Sequence, residues 1–142
     1  MRNLLNNRES DWMYNQSGVI PFRILNGKIQ VLLITSRRRK KWIFPKGIIE
    51  PGMTPQESAA SEAIEEAGVI GKVFVEMLGE YEYNKWGGIC HVQMFPMEVT
   101  KIMDNWMESS FRERKWVSIA EAKRLLNKDK LKLMLDKLIE YN

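Results

Sequence analysis

The chain has 142 residues, of which 44% are hydrophobic and 28% charged, and its formal net charge is +4. This length fits one domain with its own core better than two, and the composition excludes a disordered protein. The net charge is a mild bias toward anionic partners, and it does not distinguish nucleic acid from nucleotides or inositol phosphates.

The residue content also bears on compartment and on metal chemistry. Cys90 is the only cysteine, so the chain forms no internal disulfide and lacks the Cys/His spacing of a zinc site. No stretch approaches the roughly 20 apolar residues of a membrane span, and the N-terminal residues lack the apolar core of a signal peptide. We therefore expect a cytoplasmic protein with no membrane partner.

The first predicted structure is a β-hairpin that follows a polar arm of residues 1–14. Val19–Leu25 and Ile29–Thr35 have the composition of strands, and Asn26-Gly27 lies between them. These two residue types tolerate the positive φ angles of a type I′ turn, which joins strands that twist in the usual sense.

A short strand, a loop and a helix are predicted next. The strand covers Trp42–Phe44, and residues 45–53 contain two prolines and two glycines and are predicted to be a loop. Thr54 is a suitable N-cap and forms a T-x-x-E capping box with Glu57. Gly68 provides a left-handed stop, so the helix is expected to end just before it.

The rest of the chain is predicted to contain three strands and two helices. The strands are Val73–Tyr83, Ile89–Val99 and Arg114–Val117, and the helices are Ala120–Leu126, opened by a capping box of Ser118 and Glu121, and about 129–141. The last helix places five apolar side chains on one face, at Leu131, Met134, Leu135, Leu138 and Ile139. This order predicts a single-domain α/β (α+β) fold with a mixed β-sheet packed between helices.

Three carboxylates are predicted to share one face of the helix that follows Thr54. Glu62 lies three residues before Glu65 and four before Glu66, and like charges at these spacings repel by roughly 0.2–0.5 kcal/mol per pair. Bound Mg²⁺ would remove that repulsion, because it favours carboxylate and water oxygens and often shares substrate phosphates. Taken alone, the helix fits a solvated acidic face at least as well; the Gly- and Pro-rich loop before it favours the metal site.

Residues 47–69 resemble the Nudix box, G-x5-E-x7-R-E-U-x-E-E-x-G-U, in which U is a bulky aliphatic residue. The matching positions are Gly47, Glu62, Ala63, Glu65, Glu66, Gly68 and Val69. The Pro45-Lys46 lead-in and Trp42 also look like Nudix enzymes that act on diadenosine polyphosphates and diphosphoinositol polyphosphates. The resemblance implies the Nudix fold, with residues 15–142 as the Nudix hydrolase domain.

The resemblance further implies Mg²⁺-dependent hydrolysis of a phosphoanhydride bond by attack of water on phosphorus, with Mn²⁺ as a substitute ion. Glu62, Glu65 and Glu66 would bind the metal, together with the carbonyl of Gly47, and Glu65 or Glu66 would act as the catalytic base. Glu108 is an outlying candidate for a ligand or base, although a charge on a surface loop is a more ordinary role for such a residue.

Two positions depart from the Nudix box. Met53 stands where the box has its first glutamate, and Ser61 stands where it has arginine. In the family the arginine makes ion pairs near the glutamates, and the loss of both charges together leaves neither unpaired. An alternative function is therefore a Nudix-fold nucleotide-binding or sensor protein whose catalysis is weak or lost.

A basic run, residues 37–41, precedes the predicted box and is the candidate phosphate-binding segment. Arg37, Arg38, Arg39 and Lys46 are the candidate contacts, because phosphate-rich substrates need several cations and arginine binds phosphate oxygens in pairs. A solvated hairpin edge is the alternative. The expected partner is a small phosphorylated substrate, either a dinucleoside polyphosphate, a diphosphoinositol polyphosphate or a related nucleotide.

Nucleic acid is the less favoured partner, since no aromatic residues alternate with the charges of the basic run. Four tryptophans are candidates for stacking on a base, although packing is the more frequent role of this residue: Trp42, Trp86, Trp106 and Trp116. The sequence identifies neither the substrate nor the oligomeric state.

Overall fold

The structure is a computed structural model that describes residues 12–38 and 40–141. The strands are β1 (Met13–Leu25), β2 (Lys28–Thr35), β3 (Trp42–Ile43), β4 (Lys46–Ile48), β5 (Val69–Val73), β6 (Gly79–Lys85), β7 (Gly88–Ile102) and β8 (Arg114–Ser118). The helices are α1 (Pro55–Glu62), which continues as a π-helical turn (Ala63–Ala67), α2 (Ile119–Leu125) and α3 (Asp129–Leu138), which ends in a 3-10 turn (Ile139–Tyr141). No helix in this part of the chain is long and apolar enough to span a membrane.

The strands form one mixed sheet around β1 and β7, which run parallel to each other from Met13 opposite Ile89 to Phe22 opposite Glu98. On its other side β1 pairs antiparallel with β4 near its start and with β2 near its end. In the same way β7 pairs with β6 through its first half and with β5 through its second half. This arrangement places β4, the end of β6 and the start of the central strands on one side of the molecule.

Consecutive residues of a strand point to opposite faces of the sheet, and in this sheet each face packs into a buried core. In β1, Val19 packs on the α1 side and Ile20 on the side of α2 and α3; Leu32 and Leu33 alternate in the same way in β2. Helix α1 and its π-helical turn contribute small residues to the core on the α1 side: Ala59, Ala63 and Ala67. The predicted mixed sheet packed between helices is therefore confirmed.

The predicted hairpin is confirmed together with its turn. Leu25 pairs with Lys28, and the two residues between them have positive φ angles, 54° at Asn26 and 77° at Gly27. Met13 and Tyr14, which were placed in the polar arm, are the first residues of β1. The arm's residues 1–11 lie outside the described part of the chain, so the boundary between arm and domain stays a prediction.

The predicted loop of residues 45–53 was wrong in part, because it contains β4. Lys46 pairs with Gly18 of β1, and this contact is very close. A β-carbon on Gly18 would stand 2.4 Å from the Pro45 carbonyl oxygen and 2.7 Å from Lys46 Cβ. The absence of a side chain at Gly18 is thus what allows the two strands to meet.

The single strand predicted at Val73–Tyr83 was also wrong. Val73 ends β5, and β6 begins only at Gly79. The sequence pattern does not predict the start of β5, because Gly71 weakens the strand signal. In the structure the pairing register with β7 shifts at Gly71, where a β-carbon would stand 2.1 Å from the Glu98 carbonyl oxygen. Glycine here accommodates a β-bulge and a close backbone approach.

The other strands and helices are confirmed within a few residues, with two local differences near the C-terminus. Ser118 accepts a hydrogen bond from the Glu121 backbone, but the Glu121 carboxylate pairs with Arg124 instead of completing the capping box. In the last helix the predicted apolar face is buried except for Ile139, which is 50% exposed. The chain tightens to a 3-10 turn at that residue, which rotates its side chain away from the stripe.

Candidate active site

The helix that carries the carboxylates begins and ends as predicted. Thr54 Oγ1 accepts from the Glu57 backbone at 3.1 Å, and the Glu57 carboxylate accepts from the Thr54 backbone at 2.9 Å, so the capping box is complete. Gly68 ends the helix in the left-handed region, at φ 66°. The difference is in the last turn, which is π-helical rather than α-helical. We call α1 with this turn the carboxylate helix, residues 55–67.

Glu66 projects from the π-helical turn toward β4. Its Oε1 atom accepts a hydrogen bond from the Lys46 backbone N–H at 3.1 Å, and its Oε2 atom lies 3.7 Å from the Arg112 guanidinium. Burial raises the pKa of Glu66 to about 8; the charge of Arg112 opposes this rise and that of Glu62 adds to it. A buried carboxyl with a raised pKa beside other titratable groups is typical of a functional site.

The side chain of Glu62 lies next to that of Glu66. Burial is the main cause that raises the pKa of Glu62, and the neighbouring charge of Glu65 raises it further. The Glu62 carboxyl also packs against the backbone of Gly47. Glu62 therefore lies beside both Glu66 and the Gly47 backbone, and the charge of Glu65 acts on it from nearby, but in the described part of the chain the three carboxylates do not converge as one ligand set.

Glu108 is brought to the same place by the connection between β7 and β8. Its backbone N–H donates to the Glu65 carbonyl at 3.1 Å, and its Oε1 atom accepts from Arg112 Nε at 2.6 Å. Apart from the i, i+4 spacing of Glu108 and Arg112, no local pattern predicts this contact. Arg112 is itself buried, and it also donates to the Thr35 carbonyl at 2.7 Å.

These carboxylates suit a hard divalent cation by their chemistry. Within residues 12–38 and 40–141, no three side chains of His, Cys, Asp and Glu already converge as a ligand set. Burial and the neighbouring charge of Glu62 raise the pKa of Glu66, so this carboxyl group holds a proton more tightly than an exposed glutamate does. A bound cation takes the place of such a proton. Mg²⁺ prefers oxygen ligands, which the carboxylates and the Gly47 carbonyl would supply.

A cleft of about 900 Å³ opens beside Glu66, and cationic side chains dominate its charged lining. The cations come from four separate segments, as Arg37, Arg38, Lys41, Lys46, Lys85 and Arg112, and the carboxylates are Glu66 and Glu108. Gly47 also lines the cleft. Of the candidate phosphate contacts, Arg37, Arg38 and Lys46 line this cleft, while Arg39 lies outside the described residues.

Lys46 is held in place by a chain of hydrogen bonds. Its Nζ atom donates to the Tyr83 hydroxyl at 3.0 Å, and that hydroxyl donates to Gln16 Oε1 at 2.8 Å. Burial lowers the pKa of Lys46, although the charge of Glu66 opposes this. The ammonium group is therefore oriented before any ligand binds.

Sequence reasoning missed Lys85 as a cleft residue. Lys85 and Trp86 lie at the turn between β6 and β7, where Trp86 and Gly87 both have positive φ angles, 54° and 72°. Trp86 lines the cleft and is 53% exposed. The other three candidates for stacking do not line the cleft: Lys115 lies over Trp42, Arg114 over Trp106 and Arg23 over Trp116.

Comparison with known proteins identifies the family of this chain. The family model of the NUDIX domain matches residues 15–138. This chain belongs to the Nudix family. The resemblance that residues 47–69 carry is thereby confirmed, as is the expectation of a Nudix-type pyrophosphohydrolase at the level of the family.

Individual Nudix proteins show the same likeness. Nudix hydrolase 16, mitochondrial, of Arabidopsis thaliana is 38% identical over 136 residues, which cover 83% of this chain and 75% of the relative. Diphosphoinositol polyphosphate phosphohydrolase 3-alpha of Mus musculus is 36% identical over 100 residues, 68% of this chain and 60% of the relative. The chain therefore spans three fifths to three quarters of the length of these two relatives.

The fold is also shared with solved Nudix structures. The crystal structure of C. elegans Ap4A hydrolase superposes with a TM-score of 0.75 at 22% identity, covering 92% of this chain and 98% of that one. At this level of identity the superposition supports the Nudix fold and says nothing about the substrate of this chain.

Proposed function

We propose that this chain hydrolyses a phosphoanhydride bond in a nucleoside or inositol diphosphate-linked substrate, with Mg²⁺ as its cofactor and Mn²⁺ as a substitute. One observation carries the proposal: Glu66, whose side chain lies next to that of Glu62, lines a cleft whose charged side chains are mostly cations. A paired carboxyl group suits a cation, and the cationic walls suit the phosphates of a substrate.

Glu62, Glu65 and Glu66 would hold the metal, with the carbonyl of Gly47 as a further ligand. When bound, Mg²⁺ neutralises charge on phosphate oxygens and lowers the pKa of the attacking water. Glu65 or Glu66 would accept the proton of that water. Glu108 remains the candidate for an outlying ligand or base, and its pairing with Arg112 keeps its carboxylate oriented next to this group.

The walls of the cleft would bind the substrate. Arg37 and Arg38 can each donate two parallel hydrogen bonds to a phosphate, and Lys46 supplies a pre-oriented ammonium group. Arg39 belongs to the same basic run and is proposed with them. The name of the mouse relative supports one substrate class expected from the sequence, the diphosphoinositol polyphosphates. Dinucleoside polyphosphates are the other class that the sequence predicts.

A test of this function uses a panel of diphosphate-linked compounds: dinucleoside polyphosphates, nucleotide sugars, nucleoside triphosphates, ADP-ribose and inositol pyrophosphates. Each is incubated with the protein and Mg²⁺ or Mn²⁺, and the products are separated by anion-exchange chromatography. We expect metal-dependent cleavage that is lost in the Glu65→Gln, Glu66→Gln double variant. Glu76→Gln is the matched control, because Glu76 lies exposed in the loop between β5 and β6.

Absence of turnover across the whole panel would contradict the proposal and favour the alternative function, a nucleotide-binding or sensor protein. The loss of catalysis would then be explained by Met53 and Ser61, which replace the glutamate and the arginine of the Nudix box. A cytoplasmic location also remains a prediction, and the Arabidopsis relative is named as mitochondrial. Fractionation of cells that produce the protein would decide the location.

A further inference from the structure

The end of the carboxylate helix is hydrogen-bonded to one connecting segment, residues 103–114. This segment runs from the end of β7 to the first residue of β8. Each of the last carbonyl groups, from Glu65 to Gly68, accepts a hydrogen bond from this 103–114 segment. The donors are the Glu108 backbone to Glu65 (3.1 Å), Trp106 Nε1 to Glu66 (3.0 Å), the Arg114 guanidinium to Ala67 (2.8 Å) and the Met103 backbone to Gly68 (2.8 Å).

Such bonding matters because the last four carbonyls of a helix have no partner within the helix. Water or a capping residue usually satisfies them, and here one segment satisfies four in succession. The turn that they belong to is π-helical, a rare geometry that occurs mostly as single turns and often at functional sites. A rare backbone geometry persists where the surrounding structure determines it.

Two side chains of the 103–114 segment form one unit against this turn. The Arg114 guanidinium lies 3.9 Å above the Trp106 ring, and Arg114 also donates to the Met103 carbonyl at 2.6 Å. A β-carbon on Gly68 would stand 2.8 Å from both Arg114 Nη1 and Trp106 Cγ. The pair is therefore packed directly on the glycine that ends the helix, and neither side chain lines the cleft.

We propose that Trp106 and Arg114 are positioning residues that hold the π-helical turn, and thereby aim the Glu65 and Glu66 carboxylates. Trp106 bonds the carbonyl of the same residue, Glu66, whose side chain reaches the cleft. A change in the backbone of that turn would rotate both carboxylates together. The inference rests on the proposed function for its kinetic consequence, while its structural and metal-binding consequences are measured separately.

The test is the variant Trp106→Phe, which keeps an aromatic ring beneath Arg114 and removes only the indole N–H. Its matched control is Trp116→Phe, because Trp116 also lies beneath an arginine, Arg23 at 4.2 Å, but on β8. Three quantities are measured: hydrogen exchange of the amides of residues 64–68 without metal, Mn²⁺ affinity by titration, and kcat and KM for the substrate found with the panel.

For Trp106→Phe we expect faster exchange at the helix end, several-fold weaker Mn²⁺ binding, and a kcat lower by about tenfold at an unchanged KM. Trp116→Phe should match the wild type in all three. Arg114→Lys, which keeps the charge and one donor, should fall between the wild type and Arg114→Gln in Mn²⁺ affinity and kcat.

Two outcomes would overturn the inference, and a third would separate it from the proposed function. If Trp106→Phe equals Trp116→Phe in Mn²⁺ affinity and kcat, Trp106 does not position the carboxylates, even when exchange at the helix end is faster. If the wild type binds Mn²⁺ without turning over any compound, the proposed function fails and the Mn²⁺ affinities alone decide the inference. If the wild type neither binds Mn²⁺ nor turns over a compound, both are wrong.

Discussion

The backbone of Gly47 lies directly against the carboxyl group of Glu62. A β-carbon at residue 47 would stand 2.3 Å from Glu62 Cδ and 2.3 Å from its Oε2 atom. Atoms do not approach this closely, so any side chain at residue 47 would displace the Glu62 carboxyl. Gly47 does not have a positive φ angle. Glycine is therefore required there for space and not for its backbone angles.

The first prediction follows from this contact. We expect Gly47→Ala to lower metal-dependent hydrolysis by at least about tenfold, because a displaced ligand costs rate steeply. The melting temperature without metal should change little. Gly79→Ala is the control, since its β-carbon meets the flexible end of Met134 at 3.0 Å. Equal activity in the two variants would mean that Glu62 has no part in the reaction.

The second prediction concerns the pH dependence of stability without metal. Burial raises the pKa of Glu66 to about 8 in the folded protein, from an ordinary value of 4.5. Between these values the folded state binds the extra proton, so the contribution of Glu66 to the free energy of unfolding is full below about pH 4.5 and falls as the pH rises to 8. Denaturant titrations of the wild type and Glu66→Gln should show the variant with the shallower decrease over this range.

A matched control for the pH experiment is Glu76→Gln, whose pH dependence should equal that of the wild type because Glu76 is exposed. The same proton competes with metal. The apparent Mn²⁺ affinity of the wild type should therefore increase with pH up to about 8. An Mn²⁺ affinity that does not change between the ordinary pKa of 4.5 and the raised pKa of about 8 would contradict the assignment.

The third prediction concerns Arg112, whose buried guanidinium contacts Glu66, Glu108 and the Thr35 carbonyl. Arg112→Met would leave these groups without their partner, and breaking a buried ion pair costs about 3–5 kcal/mol of unfolding free energy. Arg124→Met removes an ion pair from a side chain that is 74% exposed, and it should cost less than about 1 kcal/mol. Chemical denaturation measures both.

Similar losses in the two variants would show that Arg112 is not an essential partner of these carboxylates. The comparison also bears on Ser61, which stands where the Nudix box has arginine. Arg112 supplies a cation to Glu66 from a different part of the chain. A large loss in Arg112→Met is thus expected if this residue now balances the charge of the carboxylate helix.

The fourth prediction concerns the basic walls of the cleft. Replacing Arg37 and Arg38 together by glutamine should raise KM by about tenfold or more with a small change in kcat. Contacts to phosphates far from the reacting bond stabilise the bound substrate and the transition state equally, so their loss weakens binding without slowing the chemical step. Lys130→Gln, an exposed position on α3, is the control and should leave KM unchanged. A loss in kcat alone would place these arginines at the reacting phosphate instead.

Several features of this protein follow from residues that are close together in the sequence. The positive φ angles at Asn26-Gly27 and the capping box of Thr54 and Glu57 depend on contacts within a few residues, so their patterns predicted them correctly. The grouping of Glu62 with Glu66 follows from helical spacing alone. The Nudix fold was also predicted from the box, since its residue pattern is specific.

Other features were decided only by tertiary structure, because they join segments that are far apart in the chain. Arg112 reaches Glu66 because the connection after β7 packs on the carboxylate helix, and Lys85 reaches the cleft because β6 pairs with β7. The π-helical turn likewise depends on donors from Trp106 and Arg114. Residue spacing determines which side chains share a face, but strand pairing and packing determine what that face meets.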